Sequence, residues 1–450
     1  MTTRTAIGRS WPRAAVILLL SCAQAQAADP LPEPLTLDDA LRLAGADHPA
    51  LALSRARLAQ READAERVTA RDAIDIGAAL EARVVDPPST ADDQSNNDSR
   101  AILFARKRLY DFGHTRALES AAATTVTGGQ LHNDAELLRH RIAIMQAFFD
   151  VLLADLEFAR DNEAMAVAYV QADRSRDRNE LGQLSDIDLL AQETRYQEFR
   201  MRRSRSQARQ RSTRALLAQL LDRPGQLPSG LVQPDLAGND RPLPEHEQLV
   251  EAMLAANPGL LSLRADLEAA RLQVRAQRTG KRPVLSAALG AAANERSVGS
   301  RNPLEAELRL EVPLYDGGRV DAEVAHAQAE VYRLTAELRQ REYELRQRLL
   351  EIWLDIQTLQ AQREQVEIFT RSRALNFDRA QAEYELELKT DFGDALVGQS
   401  ESSLLHAQTE FALALDWARL AALTGEPWSP LIDTPPTAQP GPDRHETISR

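Results

Sequence analysis

The sequence has little of the residue types on which most catalytic and metal sites depend. Its 450 residues include one cysteine, three lysines and eight histidines, and aromatic residues make up 5%. The cysteine, Cys22, lies near the N-terminus, so the rest of the chain offers no thiol for disulfides, zinc binding or catalysis. No two histidines have the i, i+4 spacing of a helical metal site. We therefore expect no metal and no cofactor.

Long apolar runs and a basic charge balance are also missing. After the N-terminal segment, the sequence has no run of about 18 apolar residues, which predicts that no helix crosses a membrane. The 54 basic and 67 acidic side chains give a net charge of −13, whereas proteins that coat nucleic acid are normally basic. Phosphate-binding loops and nucleophile elbows are absent. These absences predict neither an enzyme nor a nucleic-acid-binding protein.

The first 27 residues have the pattern of a secretory signal peptide. Three arginines precede an apolar run over 14–22, and the small residues Ala25 and Ala27 suit cleavage before Ala28. An alternative stays open, because Cys22 and the three residues before it also resemble a lipid-attachment signal. Either pattern predicts an exported protein.

The rest of the chain reads as a tandem duplication. Leu109-Tyr110-Asp111-Phe112-Gly113 returns in the second half as Leu314-Tyr315-Asp316-Gly317-Gly318, and His48-Pro49 returns as Asn257-Pro258. We expect the Tyr-Asp pairs to form turns from strand to helix, with Gly113 and Gly318 in conformations that other residues resist. His48 and Asn257 are predicted to begin helices, each followed by proline at the first helical position.

Periodicity predicts the same order of elements in each copy: a helix, two strands, a very long helix and a further helix. The copies are assigned to 28–221 and 246–428, with a proline-rich connector over 222–245 and a tail over 429–450 that is expected to be disordered. The predicted strands cover about 73–85, 99–109, 283–294 and 303–314, and the predicted long helices cover about 113–181, 186–221, 318–386 and 394–424.

The strand segments alternate between apolar and polar residues, most regularly from Leu304 to Leu314. Each has about the 9–11 residues that cross a bilayer as a tilted strand. Four strands cannot close a barrel, and open sheet edges cannot face lipid, so copies of the chain would have to pool their strands. Two copies give eight strands, too narrow for a passage, whereas three give twelve. The arithmetic predicts a homotrimer.

The long helices have the spacing of coiled coils. From Arg319 to Phe392 the chain has neither glycine nor proline, and its apolar residues recur at intervals of three, four and seven. In the first long helix, Gly128-Gly129 is interpreted as a local bend. The basic residues of Arg106-Lys107-Arg108 are expected to meet lipid head groups. A run of arginines over 200–214 is interpreted as a solvated helix face.

These motifs, in this order, resemble the TolC-like family of outer-membrane channel proteins, which serve multidrug efflux and type I secretion in Gram-negative bacteria. The resemblance covers about 35–428. It implies a mainly α-helical fold with membrane β-strands, in which a trimer forms a 12-stranded barrel in the cell outer membrane and long coiled-coil helices form a periplasmic α-barrel. It also implies a periplasmic adaptor and an inner-membrane transporter, proton-driven or ABC, as partners, and no catalysis.

The resemblance also locates a candidate gate. In that family the tunnel closes near a motif resembling Gly-x-x-Ser/Thr-x-x-Asp-x-Leu, which residues 182–190 match and residues 387–396 match less well, because the glycine is missing and Asp394 comes one residue late. Asp394, helped by Asp391, is the gate candidate, since three carboxylates converging on an axis would attract cations. The alternative is a helix cap or a solvated turn, and Asp188 is predicted to be such a cap.

The predicted function is the exit duct of a tripartite pump that exports small toxic molecules across the periplasm and the outer membrane. Two alternatives remain open at this point. One is a type I secretion channel for a polypeptide. The other is a soluble periplasmic coiled-coil scaffold, in which the four alternating segments would pack as one small sheet.

Overall fold

The computed structural model describes residues 31–43, 48–296, 302–386 and 392–426. The predicted signal peptide with Cys22, the tail over 429–450 and Asp391 lie outside these residues.

Long helices and one small sheet make up the described chain. The helices are α1 (Leu37–Leu43), α2 (Pro49–Ala70), α3 (His114–Glu180), α4 (Asp186–Leu220), α5 (His246–Ala256), α6 (Pro258–Arg278), α7 (Arg319–Glu385) and α8 (Gly393–Thr424). The strands are β1 (Asp75–Glu81), β2 (Arg100–Tyr110), β3 (Val284–Asn294) and β4 (Leu304–Glu311), and they form one antiparallel sheet in the order β1-β2-β3-β4. A mainly helical fold with four strands confirms the predicted fold class.

The helices lie side by side in the same order as the strands to which they are connected. Helix α3 packs on α2 and α4 on one side and on α6 and α8 on the other, and α7 packs on α6 and α8. The chain therefore forms four helical columns, in the order α2 with α4, α3, α6 with α8, and α7. Two of these columns are continuous, because α3 and α7 are each 67 residues long.

The other two columns are each made of two helices that meet near the connector. Helix α6 begins where α8 ends: the Asn257 side chain accepts a hydrogen bond from the Leu260 amide and donates one to the Leu423 carbonyl (3.0 Å). In the first copy, His48 accepts a hydrogen bond from the Ala50 amide, and its ring lies 4.2 Å from that of buried His140 in α3. His48 and Asn257 thus each lie at the start of a helix and are each followed by a proline.

The apolar core lies where the connector crosses the columns. One cluster surrounds Phe148 and Phe149 of α3 and Phe411 of α8, with α1 packed against them. A second cluster joins α5 to α7 and α8 through Met253, Leu349 and Trp417. These two clusters hold the connector against the helical layer.

Gly128 and Gly129 mark a close crossing of helices, and α3 runs through them as one helix. A Cβ atom on Gly128 would lie 2.9 Å from the Asp266 carboxylate of α6, and one on Gly129 would lie 2.9 Å from the Arg61 side chain of α2. Asp266 and Arg61 form an ion pair (3.0 Å), and Ser262 donates a hydrogen bond to the Gly128 carbonyl (2.8 Å). The glycines therefore let α2 and α6 approach α3, a role that local sequence could not reveal.

The two Tyr-Asp motifs occupy the turns that lead from β2 into α3 and from β4 into α7. Asp111 accepts hydrogen bonds from the Gly113 amide (3.2 Å) and from the amide (2.9 Å) and hydroxyl of Thr115. Asp316 accepts from the amides of Gly318 (3.0 Å) and Val320 (3.1 Å). Gly113 and Gly318 have φ of 89° and 83°, in the left-handed region that favours glycine. Each aspartate thus satisfies free amides at the start of a long helix.

Asp111 carries more of this stabilisation than Asp316, because it is buried. Burial alone would raise the pKa of the Asp111 carboxyl, yet hydrogen bonds from the hydroxyl and amide of Thr115 outweigh burial and hold the pKa below its ordinary value. A carboxyl whose pKa is lowered by folding stabilises the protein above its unfolded pKa, and this contribution is lost as pH falls through the folded pKa.

We predict that Asp111→Asn lowers the free energy of unfolding at pH 7 by about 1–3 kcal/mol, since asparagine keeps only one acceptor oxygen. The deficit relative to wild type should shrink below about pH 4, where the carboxyl takes up its proton in the unfolded chain while the folded carboxyl, with its lowered pKa, is still ionised. Chemical denaturation at pH 7 and at pH 3 measures both effects. Asp316→Asn is the matched control and should cost less; equal losses for the two variants at pH 7 would contradict the prediction.

Candidate functional site

The sheet has one face that is apolar over almost its whole area. The register of the four strands brings alternate residues together on this face: Ile76, Ala78, Leu80, Ala101, Leu103, Ala105, Leu285, Ala287, Leu289, Ala291, Ala293, Leu304, Ala306, Leu308 and Leu310. Its large side chains are uncovered, with Leu80 86% and Leu304 75% exposed. A continuous exposed apolar surface of this kind marks a contact with lipid or with another protein.

The opposite face carries every charged residue of the strands except Lys107. Arg100 pairs with Glu81 (2.7 Å), and Arg309 pairs with Glu307 (2.6 Å). The ring of Phe104 lies over Gly77, and the Arg106 guanidinium stands 4.3 Å from the centre of that ring. These groups need water, so the two faces of the sheet suit different surroundings, as in strands that line an aqueous pore within lipid.

The sheet ends in two unpaired edges. Within the described residues, β1 pairs only with β2, and β4 pairs only with β3. The outer hydrogen-bonding groups of both edge strands are therefore open to another strand. Because β1 follows α2 and β4 leads into α7, the edges of the sheet lie on the same sides as the outermost helical columns.

Helix α7 carries two apolar stripes, and only one of them is covered. Leu345, Leu349, Ile352 and Ile356 are buried against the rest of the chain. A second stripe, defined here as the outer stripe, is exposed: Tyr343, Leu350, Leu354, Ile368 and Leu375. Sequence reasoning missed the outer stripe because the heptad pattern was assigned to the buried one. The signal was present in the spacing, since Tyr343 and Leu350, like Ile368 and Leu375, are seven residues apart.

Helix α4 stands at the other end of the helical layer and packs on α3. Its free flank exposes Ile187, Leu190 and Met201. The arginines on the side towards α3 are held by that helix, since Arg209 pairs with Glu157 (3.3 Å) and Arg214 pairs with Asp155 (2.7 Å). The arginine run over 200–214 thus joins two helices as well as meeting solvent.

At the far end of the helices, the aspartates of the predicted gate have different surroundings. Asp188 lies in the cap of α4: its amide donates to the Ser185 hydroxyl (3.2 Å), which donates in turn to the Asp188 carboxylate (2.7 Å). Asp394 lies exposed in the first turn of α8. The residue before this helix, Phe392, contacts the rings of Tyr384 and Phe377 on α7.

The described residues offer little to a cofactor. They contain no group of three or more His, Cys, Asp or Glu side chains arranged to hold a metal ion. A cleft of about 940 Å³ lies between α2, α3, α6 and α7, and several charged groups in its wall are already paired, among them Arg333 with Glu337 (2.7 Å). None of the described helices has an apolar stretch that could span a membrane.

Known proteins that are similar to this chain are outer-membrane proteins. The family model described as "Outer membrane efflux protein" matches residues 249–426. A search of curated protein sequences found no matching relative.

Solved structures extend the likeness over most of the chain. A membrane protein from Pseudomonas aeruginosa is 17% identical, with a TM-score of 0.71, over 88% of this chain and 92% of that one. The CmeC outer membrane channel of Campylobacter jejuni is 13% identical, with a TM-score of 0.71, over 87% and 85%. The outer membrane protein VceC of Vibrio cholerae is 18% identical, with a TM-score of 0.65, over 86% and 96%.

These identities establish the fold, and the family model relates the second half of the chain to outer membrane efflux proteins. An outer-membrane efflux channel needs an apolar sheet face, a charged sheet face and long helices, and it needs no catalytic group. Residues 249–426 thus match the outer membrane efflux protein family, and the described residues as a whole share the fold of outer-membrane channels of Gram-negative bacteria.

Proposed function

We propose that three copies of this chain form the exit duct of a tripartite efflux pump. Three sheets would close into one 12-stranded barrel in the outer membrane, and the helical columns would continue it as a tunnel into the periplasm. The observation that carries the proposal is the exposed apolar face of a sheet whose two edges are both open. Lipid suits the face, but the open edges need other strands.

The number of strands supports three copies. Each chain supplies four, and a barrel of eight strands has an interior just wide enough for its own side chains. A barrel of twelve leaves a passage. The charged face, with Arg100, Arg106, Glu305 and Glu307, would line that passage, where water can solvate it.

The helices offer a second and independent contact between copies. The outer stripe of α7 lies at one end of the helical layer, and the free flank of α4 lies at the other. If β4 of one copy pairs with β1 of the next, the outer stripe of α7 in the first copy would face the free flank of α4 in the second. Ile368 and Leu375 would then be covered by a neighbour with exposed apolar groups of its own.

We predict that the protein fractionates with the outer membrane and is a trimer by native mass spectrometry after detergent extraction. Ile368→Asp should abolish the trimer, because it buries a charge in the contact without a partner. Asn376→Asp is the matched control, since it adds the same charge to an exposed residue that lies about 100° around the helix from Leu375, outside both stripes. A soluble wild-type monomer or dimer would overturn the proposal and favour the periplasmic scaffold.

The cargo and partners follow from the same proposal. The chain has no nucleotide-binding motif, so energy for export must come from a partner, for which we propose an inner-membrane transporter, proton-driven or ABC, joined through a periplasmic adaptor. The family description, an efflux protein, favours small toxic molecules over a secreted polypeptide.

Loss of the protein from its host should lower the inhibitory concentration of small toxic compounds severalfold and leave the set of secreted polypeptides unchanged. Growth assays and analysis of the culture medium measure the two effects. The Asn376→Asp variant should restore resistance, and Ile368→Asp should not. A missing polypeptide with unchanged resistance would assign the channel to type I secretion.

We further propose that Asp394 contributes to a gate at the periplasmic tip. Its exposed position in the first turn of α8 leaves the carboxylate free to face its copies, whereas Asp188 is engaged with Ser185. In planar bilayers, Asp394→Ala should raise the resting conductance and weaken cation preference, while Asp188→Ala should leave both unchanged. Unchanged conductance and cation preference in Asp394→Ala would remove this residue from the gate.

A further inference from the structure

The basic segment at the end of β2 is divided between the two faces of the sheet. Arg106 and Arg108 point to the charged face, where Arg106 stacks on Phe104 and Arg108 lies 3.5 Å from the Asp111 carboxylate. Lys107 lies opposite Ala287 on the apolar face. The expectation that all three meet lipid head groups is therefore wrong for the two arginines.

Lys107 is the one charged residue on the apolar face of the strands. Its side chain is exposed, and no carboxylate of the described residues forms an ion pair with it. A charge on a surface that meets acyl chains is unfavourable unless the side chain can reach the polar boundary of the membrane. Lys107 lies close to the end of β2, so its long stem can bring the ammonium group to that boundary.

Aromatic side chains gather at the same end of the sheet. An irregularity between Arg108 and Tyr110 places Tyr110 opposite Leu285, on the apolar face. The Tyr110 ring meets that of Phe112 edge to face at 4.7 Å. Tyr315, the counterpart of Tyr110 in the second copy, is 91% exposed. Tyrosine rings of this kind collect at the boundary between acyl chains and head groups.

Phe112 is held in a conformation that its side chain disfavours. Its φ is 55°, in the left-handed region, and the second copy has Gly317 at this position with φ of 68°. The turn can therefore be built with glycine, and the phenylalanine is the strained choice. Strain retained at a surface position indicates that the ring itself makes a useful contact.

The height of the apolar face agrees with a membrane boundary at this end. From Leu285 to Ala293 the face extends over eight residue steps, or roughly 27 Å along the strand at about 3.4 Å per residue, which a strand tilt of about 40° reduces to roughly 21 Å across the membrane. The apolar band of an outer-membrane barrel is about 25 Å tall. Lys107 and Tyr110 thus lie at one margin of the band, next to the helices.

We propose that Lys107, Tyr110 and Phe112 form a binding site for the phosphate head group of an anionic phospholipid, one in each copy. The Lys107 ammonium pairs with the phosphate, and the two rings pack beside the glycerol region. This site rests on the proposed membrane barrel. The site also defines the orientation of the barrel in the membrane, because the lipid that binds there comes from the leaflet on the side of the helices.

Neighbouring cations at this end are already engaged, which provides a control. Lys281 pairs with Asp321 (2.6 Å), and Arg282 donates a hydrogen bond to the Phe112 carbonyl (3.3 Å). Removing Lys281 therefore changes the net charge of this region by the same amount as removing Lys107, without removing the proposed ligand.

The test is native mass spectrometry of the full-length protein in detergent, titrated with phosphatidylglycerol or with phosphatidylcholine. Wild type should bind up to about three phosphatidylglycerol molecules per trimer, in preference to phosphatidylcholine. Lys107→Ala should weaken this binding about tenfold or more, Lys281→Ala should leave it unchanged, and Lys107→Arg should retain most of it. Phe112→Gly should weaken it by a smaller factor.

Two results would overturn the proposal: equal phosphatidylglycerol binding by Lys107→Ala and wild type, or equal binding of the two lipids by wild type. Both are read on variants that remain trimeric, so they leave the barrel intact. A wild-type protein that is not a membrane trimer would instead refute the proposed function, and the lipid site with it.

Discussion

The structure depends on one constraint, that a strand edge needs a hydrogen-bonding partner wherever water is excluded. The exposed apolar face of the sheet extends along the strands for about the length of a membrane-spanning strand. Within the described residues, however, β1 and β4 each have one edge without a partner strand. An edge of this kind cannot remain open in lipid. Because the helical columns follow the order of the strands, the same constraint leaves α7 with an outer stripe and α4 with a free flank. The proposed assembly would thus be specified twice, by backbone groups in the sheet and by side chains in the helices.

The two copies of the duplication reach similar geometry with different residues. His48 begins α2 in the first copy and Asn257 begins α6 in the second, and each accepts a hydrogen bond from a free amide of its helix. The turn after β2 is closed by a buried aspartate with a threonine partner, whereas the turn after β4 uses backbone amides alone. What the copies share is therefore the backbone path. What distinguishes them is the environment of each turn, since Asp111 is buried with a threonine partner and Asp316 is not.

Sequence patterns were sufficient for the elements but insufficient for their contacts. Alternation from Leu304 predicted β4, and the absence of glycine and proline predicted α7, because both signals are local. Alternation along β2 also places Lys107 on the face of Leu103 and Ala105, whereas the face on which Tyr110 lies depends on the irregularity in the pairing with β3, which no single strand encodes. Gly128 and Gly129 suggested a bend, since the helices that cross them are far away in sequence. The tip motif suggested a cap at Asp188, and the local sequence carried that information because Ser185 is three residues away.

The division of the helical layer into two continuous and two interrupted columns has a mechanical consequence. Helices α3 and α7 run from the tip to the turns that enter the sheet, whereas the α2 with α4 and α6 with α8 columns are broken near the connector. Only α3 and α7 join the tip to the sheet by a continuous helix, whereas the two halves of each interrupted column are held together by side-chain contacts such as the Asn257 hydrogen bond to the Leu423 carbonyl. A displacement between the two halves of an interrupted column requires only side-chain contacts to rearrange, whereas the same displacement in α3 or α7 would bend a helix.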